Sequence, residues 1–245
     1  IALKAKTNAA SLFSTYGNLA NLYRIKGDAA QAEKYFHKTL QHIQRHFGND
    51  SYVLSLHLLN FGILQIEKGS FKEAKNLLYQ ALQINLKYLG KVHPNTAINY
   101  ENLGYLHSRQ GNYRKALSYF QKALAALSEH FTDTLSPYSN PDLEHITSRP
   151  LMIDVLKYKA NAFSQLEGSS TSDLEAALNC YNLALQVIKD LRMGYQTRES
   201  KLLLTSNERN TFIHTIQTAI ELYRQTSESK YLEEAFRYAE ESKAA

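Results

Sequence analysis

The chain has 245 residues, 44% of them hydrophobic, with four prolines, ten glycines and 17 tyrosines but no tryptophan; such a composition suits a folded, mostly helical protein and excludes a disordered one. The net charge of +5 is mild, and lysines and arginines alternate with acids along most of the chain, so no like-charge block offers a nucleic-acid footprint. The lone Cys180 excludes an intramolecular disulfide, and no apolar run is long enough to cross a bilayer.

No basic-then-apolar start reads as a signal peptide. Both ends fall inside helix-like patterns, so the sequence reads as a piece of a longer protein. From the N-terminus onward, the first half repeats with a step of 42 residues. Gly27, Gly69 and Gly111 keep that step, as do Asn18, Asn60 and Asn102, then Ala32, Ala74 and Ala116, Phe36, Leu78 and Phe120, and Leu40, Leu82 and Leu124. A period of this size marks stacked supersecondary units, none of which can bury its apolar face alone.

Each unit, at about 8–50, 51–92 and 93–131, reads as two helices. The first is amphipathic: Tyr16, Leu19, Ala20 and Tyr23 recur at steps of three and four, which puts them on one face. The glycine then ends the helix by taking a left-handed conformation that side chains resist. A second helix starts at once, and Asp28 with Gln31 and Ser70 with Glu73 have capping-box spacing. The small Ala32, Ala74 and Ala116 let the paired helices approach, while Phe36, Leu78 and Phe120 fill the seam.

The step is lost after Phe131. Pro137, Pro141 and Pro150 fall in or end an insert at 132–149 that cannot be helical throughout. It reads as either an ordered functional loop or a flexible segment. More divergent hairpins follow. One, at 150–193, rests on Leu156, Lys159, Ala160 and Phe163, then Leu174, Ala177, Leu178 and Tyr181, with Ser172 and Glu175 as its cap. The other, at 205–245, runs from about Ser206 through Ile213, Ile216, Ile220 and Tyr223, then Tyr231, Ala235 and Ala239. Residues 197–204 read as a junction or a short helix.

Asn102-Leu103-Gly104-Tyr105-Leu106, then Gly111-Asn112-Tyr113, Ala116, Tyr119-Phe120 and Ala123-Leu124, resemble the tetratricopeptide repeat, whose usual unit is 34 residues. The second unit shares the resemblance through Phe61-Gly62, Gly69, Ala74 and Ala81-Leu82. The extra residues of the 42-residue step lie around 47–50 and 89–94, a longer form similar to the repeats of kinesin light chains, with Pro94 placed to open a helix. The resemblance implies an all-α, right-handed superhelical solenoid of about five helical hairpins that holds a protein or peptide in a concave groove.

A second resemblance covers roughly the latter half. Asn140-Pro141, Leu156-Lys157-Tyr158-Lys159-Ala160, Asp173 to Leu178, Leu191-Arg192 and the run from Tyr231 to Ala244 are similar to bacterial proteins in which such repeats precede a CHAT domain, a cysteine protease module related to caspases and separase. It implies the regulatory N-terminal region of a longer protein with a protease domain downstream. None of that protease's catalytic residues is carried over here.

Catalytic constellations read as structural. His42 and His46, four apart, could face one metal ion, but no Glu follows His42 as zinc proteases require and no third ligand is evident. Cys180 lies beside the seam residue Tyr181, with nothing near it in sequence to lower its pKa. No phosphate loop, nucleophile elbow or Cys/His cluster occurs. Neither enzymatic activity nor a cofactor is expected of this stretch.

In the arrays that this sequence resembles, the first helix of each hairpin lines the groove. That mapping puts Asn21, Arg24, Ile63, Ile66, Glu101, Tyr105, Arg109, Lys157, Asn161 and Gln165 on it. The repeated Asn18, Asn60 and Asn102 either brace the backbone between repeats, the reading favoured by a spacing locked to the repeat, or grip a peptide backbone; Asn60 and Asn102 are therefore also groove candidates. Polar ends around an apolar centre suit an extended or helical peptide and offer no uniformly basic track for phosphates. A clamp for acidic chaperone tails is not expected: Asn21 and Asn60 fit one, but Gly17, Ile98 and Asn102 stand where such clamps carry basic residues. The alternative function is helical-repeat binding of nucleic acid, motivated by the net positive charge.

Overall fold

Glycine turns end the first helices where the 42-residue step puts them: Gly27, Gly69 and Gly111 have φ of 80°, 78° and 74°. At the first two, the residue after the glycine reaches back over the helix end, Asp28 N–H to Tyr23 O at 2.9 Å and Ser70 N–H to Gln65 O at 2.8 Å. These bonds satisfy carbonyls that the helix end would leave bare. The computed structural model describes the backbone of residues 2–49, 51–194 and 198–244, and the side chains of 12–49, 51–194 and 208–243.

Among the described residues the secondary structure is helical: α1 (Ala2–Ile25), α2 (Ala29–Phe47), α3 (Tyr52–Glu67), α4 (Phe71–Leu89), α5 (Pro94–Arg109), α6 (Tyr113–Leu127), α7 (Arg149–Ser164), α8 (Thr171–Gly194), α9 (Arg198–Thr226) and α10 (Ser229–Ala244). The chain divides into two compact units, Ile1–Arg109 and Gln110–Ala245.

In the first unit α1 pairs with α2 and α3 with α4, while α2 packs on α3 and α4 on α5. The seam residues Ala32, Phe36, Ala74 and Leu78 are fully buried, and Phe36 stacks on Phe61 at 5.3 Å between ring centroids. Gly62 is required there, because a Cβ on it would lie 2.8 Å from Leu78 Cδ2. Asp28 caps α2, its Oδ1 accepting the Gln31 N–H at 3.1 Å. Ser70, by contrast, makes no side-chain cap on α4, although Glu73 does stand in that helix's first turn.

In the second unit α7 pairs with α8 and α9 with α10, while α6 packs on α7 and α8 on α9. Leu174 and Leu178 of α8 share a buried cluster with Phe212, Ala219 and Leu222 of α9 and Tyr231, Ala235 and Tyr238 of α10. The cap of α8 differs from the expected Ser172 and Glu175. Ser170 N–H donates to Asp173 Oδ2 at 2.9 Å and Asp173 N–H to Ser170 Oγ at 3.2 Å, a reciprocal cap two residues earlier. Gly168, at φ 65°, ends the preceding turn early enough to make Ser170 the capping residue, and Glu175 instead accepts from Tyr231 OH on α10. Helix α9 starts at Arg198, so 198–204 is helix and no junction, although Thr197 lies outside the described residues.

The proline-bearing insert is an ordered loop. Ser128 and Ile146 form an isolated antiparallel bridge, and Thr147 N–H donates to Leu127 O at 2.9 Å. Its centre is held by Lys159 of α7, a fully buried side chain. The ammonium donates to Gln121 Oε1 at 2.6 Å, Ser139 O at 2.8 Å and Asn140 Oδ1 at 2.8 Å, which uses all three of its donors. Gln121 in turn donates to Asp133 O at 2.8 Å and Ser139 Oγ at 2.9 Å. Burial pushes the Lys159 pKa down from 10.5 to about 8, against the pull of Cys180 and Asp133. The Asp133 carboxyl is held below its usual range by the Ser139 hydroxyl and by the Ser136 and Leu135 N–H groups. A lysine thus stands at a core position of α7, and the insert, through Ser139 O and Asn140 Oδ1, together with Gln121 of α6 supplies the oxygens that its charge demands.

Candidate functional site

Within the first unit, α1, α3 and α5 are the leading helices of their repeats, and most of the expected groove residues on them are at least partly open to solvent. Asn21, Arg24, Asn60, Ile63, Glu101, Asn102 and Tyr105 are half-buried and Arg109 is exposed. Ile66 departs from the expectation: it is completely buried, one turn past Ile63, and belongs to the core. Its ring of neighbours leaves it no contact with a ligand.

Several of these residues are already engaged. Arg24 Nη1 donates to Glu67 Oε1 at 2.6 Å, linking the ends of α1 and α3. Arg109 Nη1 donates to Tyr105 OH at 3.1 Å, and its guanidinium lies 5.8 Å from the Tyr105 ring centre. Asn102 Nδ2 turns back to Ile98 O of its own helix at 2.8 Å, so it braces one helical turn and no neighbouring repeat. Among the asparagines at this position, Asn18 of α1 is exposed and borders an open cavity.

That cavity, of about 480 Å³, lies among α1, α3, α4 and α5. Its apolar walls include Phe13, Tyr52, Leu56 and Ile98, and its polar lining includes Asn18, His57, Asn85 and Asn95. Leu56 is 59% exposed, an unusual cost for a leucine on a helix that is otherwise largely buried. Behind the cavity a buried amide relay joins three elements: Ser55 Oγ donates to Asn85 Oδ1 at 2.5 Å, and Asn85 Nδ2 donates to Asn99 Oδ1 at 2.5 Å and Asn95 O at 3.2 Å. Asn95 Nδ2 also donates to Tyr52 OH at 2.9 Å. This relay braces adjacent repeats.

His57 forms another wall, 8% exposed, with its ring edge against Phe13 at 5.8 Å. It fits only because residue 17 is glycine; a Cβ there would lie 2.5 Å from His57 Cε1. Burial lowers the His57 pKa below 6.5, which keeps the ring neutral. Sequence reasoning did not single out Tyr52, Leu56, His57 or Asn95. A signal existed for Leu56, since Ser14, Leu56 and Ile98 keep the 42-residue step with the character changing from polar to apolar.

In the second unit, Lys157 is half-buried and Asn161 and Gln165 are exposed, spaced four apart along α7. Gln165 is the helix's capping residue, its N–H bonded to Asn161 O. Asp154, one turn before Lys157, has its carboxyl pKa raised by burial, with Lys157 opposing.

His42 and His46 lie with ring centres 4.5 Å apart, and among the described residues no group of three or more His, Cys, Asp or Glu is placed to hold a metal. Cys180 is fully buried, and burial raises its thiol pKa, the opposite of what a nucleophile needs. Among the described residues no helix is long and apolar enough to cross a membrane.

Residues 11–87 and 58–129 match the tetratricopeptide repeat family. Among solved structures, BtubC (BKLC) from P. vanneervenii is similar at 18% identity and a TM-score of 0.59, covering 78% of this chain and 68% of that one. A putative kinesin light chain from Podosopora anserina, with nearly identical TPR-like repeats, is similar at 16% identity and a TM-score of 0.58, covering 96% of this chain and 98% of that one. At such identities the likeness speaks for the fold alone, which is all-α and of the tetratricopeptide type. No curated protein matches the sequence.

Proposed function

Because residues 11–129 are tetratricopeptide repeats, which generally mediate protein–protein interactions, we propose that this chain is an interaction module whose first unit takes a peptide segment of a partner along α1, α3 and α5. The observation that carries the reading is the cavity beside Asn18, Leu56 and Ile98. An exposed leucine at a concave, amide-lined site suits an apolar side chain of the peptide, with Asn18 on its lining to hold the peptide backbone. Tyr105 and Arg109 extend the surface with residue types that dominate interface energetics.

The test is partner capture followed by titration. Leu56→Glu places a charge in the apolar pocket and should weaken binding about tenfold or more, as should Tyr105→Ala with Arg109→Ala together. Unchanged affinity in both variants refutes the groove. Binding of nucleic acid in its place would show as salt-sensitive shifts of generic single-stranded RNA or DNA. Such a fold is typically non-catalytic. A finer reading, supported by the sequence resemblance of the latter half alone, from Asn140-Pro141 to the run Tyr231 to Ala244, is that the module restrains or positions a CHAT protease domain. Sequencing the reading frame beyond Ala245 decides it: a following α/β domain with a histidine and a cysteine supports the protease arm, and further hairpins remove it.

A further inference from the structure

The first hairpin carries a second concavity that shares no residue with the groove. It has a volume of about 240 Å³ and is lined by Tyr16 of α1 and by Lys38, Gln41, His42 and Arg45 of α2. Lys38 and Arg45 are seven residues apart, two helical turns, so both project from the same face about 10 Å apart along the axis. The edge of the Tyr16 ring meets His42 at 6.4 Å, and His46 stands beside His42. The lining contains cations, imidazole and an amide but no carboxylate.

The acids of this hairpin are occupied elsewhere. Asp28 caps the start of α2, and Glu33 accepts from Gln65 of α3 at 3.1 Å and from Lys68, just past the end of α3, at 2.5 Å. Among the described residues, no ion pair involves Lys38 or Arg45. Their charge is therefore uncompensated over a concave, ring-walled surface, where field lines converge.

The rings favour a peptide over a nucleic acid. Lys38 Nζ lies 5.6 Å from the Tyr16 ring centre and 5.3 Å from that of Tyr35, while Tyr35 stacks on Tyr23 at 5.5 Å. Base stacking on Tyr35 would have to displace one or the other. The basic stretch from Lys38 to Arg45 also spans only about two turns of one helix, too short for the row of phosphate contacts on which nucleic-acid affinity depends.

We propose that this concavity seats an oxyanion carried by a peptide of the partner, a glutamate or aspartate carboxylate or a phosphoserine phosphate, between Lys38 and Arg45. The Arg45 guanidinium can grip such a group through two parallel N–H donors, and Lys38 neutralises it as a point charge. Together with the groove, the site gives the first unit two faces for one partner, and it stands whether or not the groove reading holds.

The experiment is fluorescence anisotropy of the full chain with labelled hexaglutamate, a phosphoserine-containing hexapeptide, hexalysine and hexauridylate, each at about 50 mM and about 300 mM salt. One of the two anionic peptides is expected to bind at low salt, and the tighter of them names the source of the oxyanion. Lys38→Glu with Arg45→Glu should weaken that binding about tenfold or more, and the milder Lys38→Gln with Arg45→Gln by several-fold. Lys72→Glu, an exposed charge reversal on α4, should change it less than about twofold. Failure of both anionic peptides to bind overturns the proposal, as does full affinity in the Lys38 and Arg45 variants or tighter binding of hexauridylate than of either peptide. Leu56→Glu should leave this binding intact, which separates the site from the groove.

Discussion

Replacing Lys159 by methionine keeps the side chain's length while removing its charge and its donors. Gln121 Oε1, Ser139 O and Asn140 Oδ1 then lose their ammonium partner. An unsatisfied buried acceptor costs about 1–3 kcal/mol, so three cost about 3–6 kcal/mol when the loop relaxes only in part. Against this, the variant no longer buries a charge. The native penalty is visible in a pKa lowered from 10.5 to about 8, equivalent to about 3 kcal/mol. The balance is a destabilisation of up to about 3 kcal/mol, read as a lower urea midpoint, with faster proteolytic nicking at 132–148. The pH dependence has a definite sign. The folded-state pKa lies below the unfolded one, so the unfolded chain holds the extra proton between about 8 and 10.5. The stability of the native chain relative to Lys159→Met should therefore rise as pH climbs through that window. An unchanged or higher urea midpoint, with an insert as resistant to protease as in the native chain, would refute the clasp.

Gly17→Ala should cost about 1–3 kcal/mol, because the added methyl meets His57 at 2.5 Å; adding His57→Ala should recover much of the loss in a double-mutant cycle. Burial of His57 also gives the native chain an acid-side weakness: its contribution is intact above the ordinary pKa of 6.5 and is lost as pH falls towards the lowered folded value. His57→Asn, which copies Asn99 of the next repeat, should flatten the fall in thermal midpoint below pH 6.5. Ser170→Ala removes the reciprocal cap of α8 and should lower stability by about 1 kcal/mol, with Ser170→Thr keeping most of it. Chemical denaturation of the two variants side by side checks this, and equal losses would show that the hydroxyl does not cap.

The repeat was legible because its causes are local or recur with the period. A glycine that must adopt φ of 78° at Gly69 announces itself, and an alanine followed by a large apolar residue one turn later reports a helix seam wherever it recurs. The candidate site was legible only in part. Helical spacing put Ile66 on the same broad face as Ile63, yet a shift of three residues, about 300° around the axis, is enough to turn one side chain into the core and leave the other half-open.

By itself, then, the sequence determined the helical hairpins of the first half, their 42-residue step and the glycine turns between them, since backbone conformation and periodic burial are written in neighbouring residues. Tertiary structure alone decided the fate of Lys159, whose partners stand 38, 20 and 19 residues away, the first on α6 and the other two in an aperiodic insert. It likewise decided the relay of Ser55, Asn85 and Asn99, and the cavity that leaves Leu56 in water. A lone lysine or asparagine in a helix pattern reads as solvent-facing, because the desolvation cost of burying it is met by oxygens whose arrival no local spacing encodes.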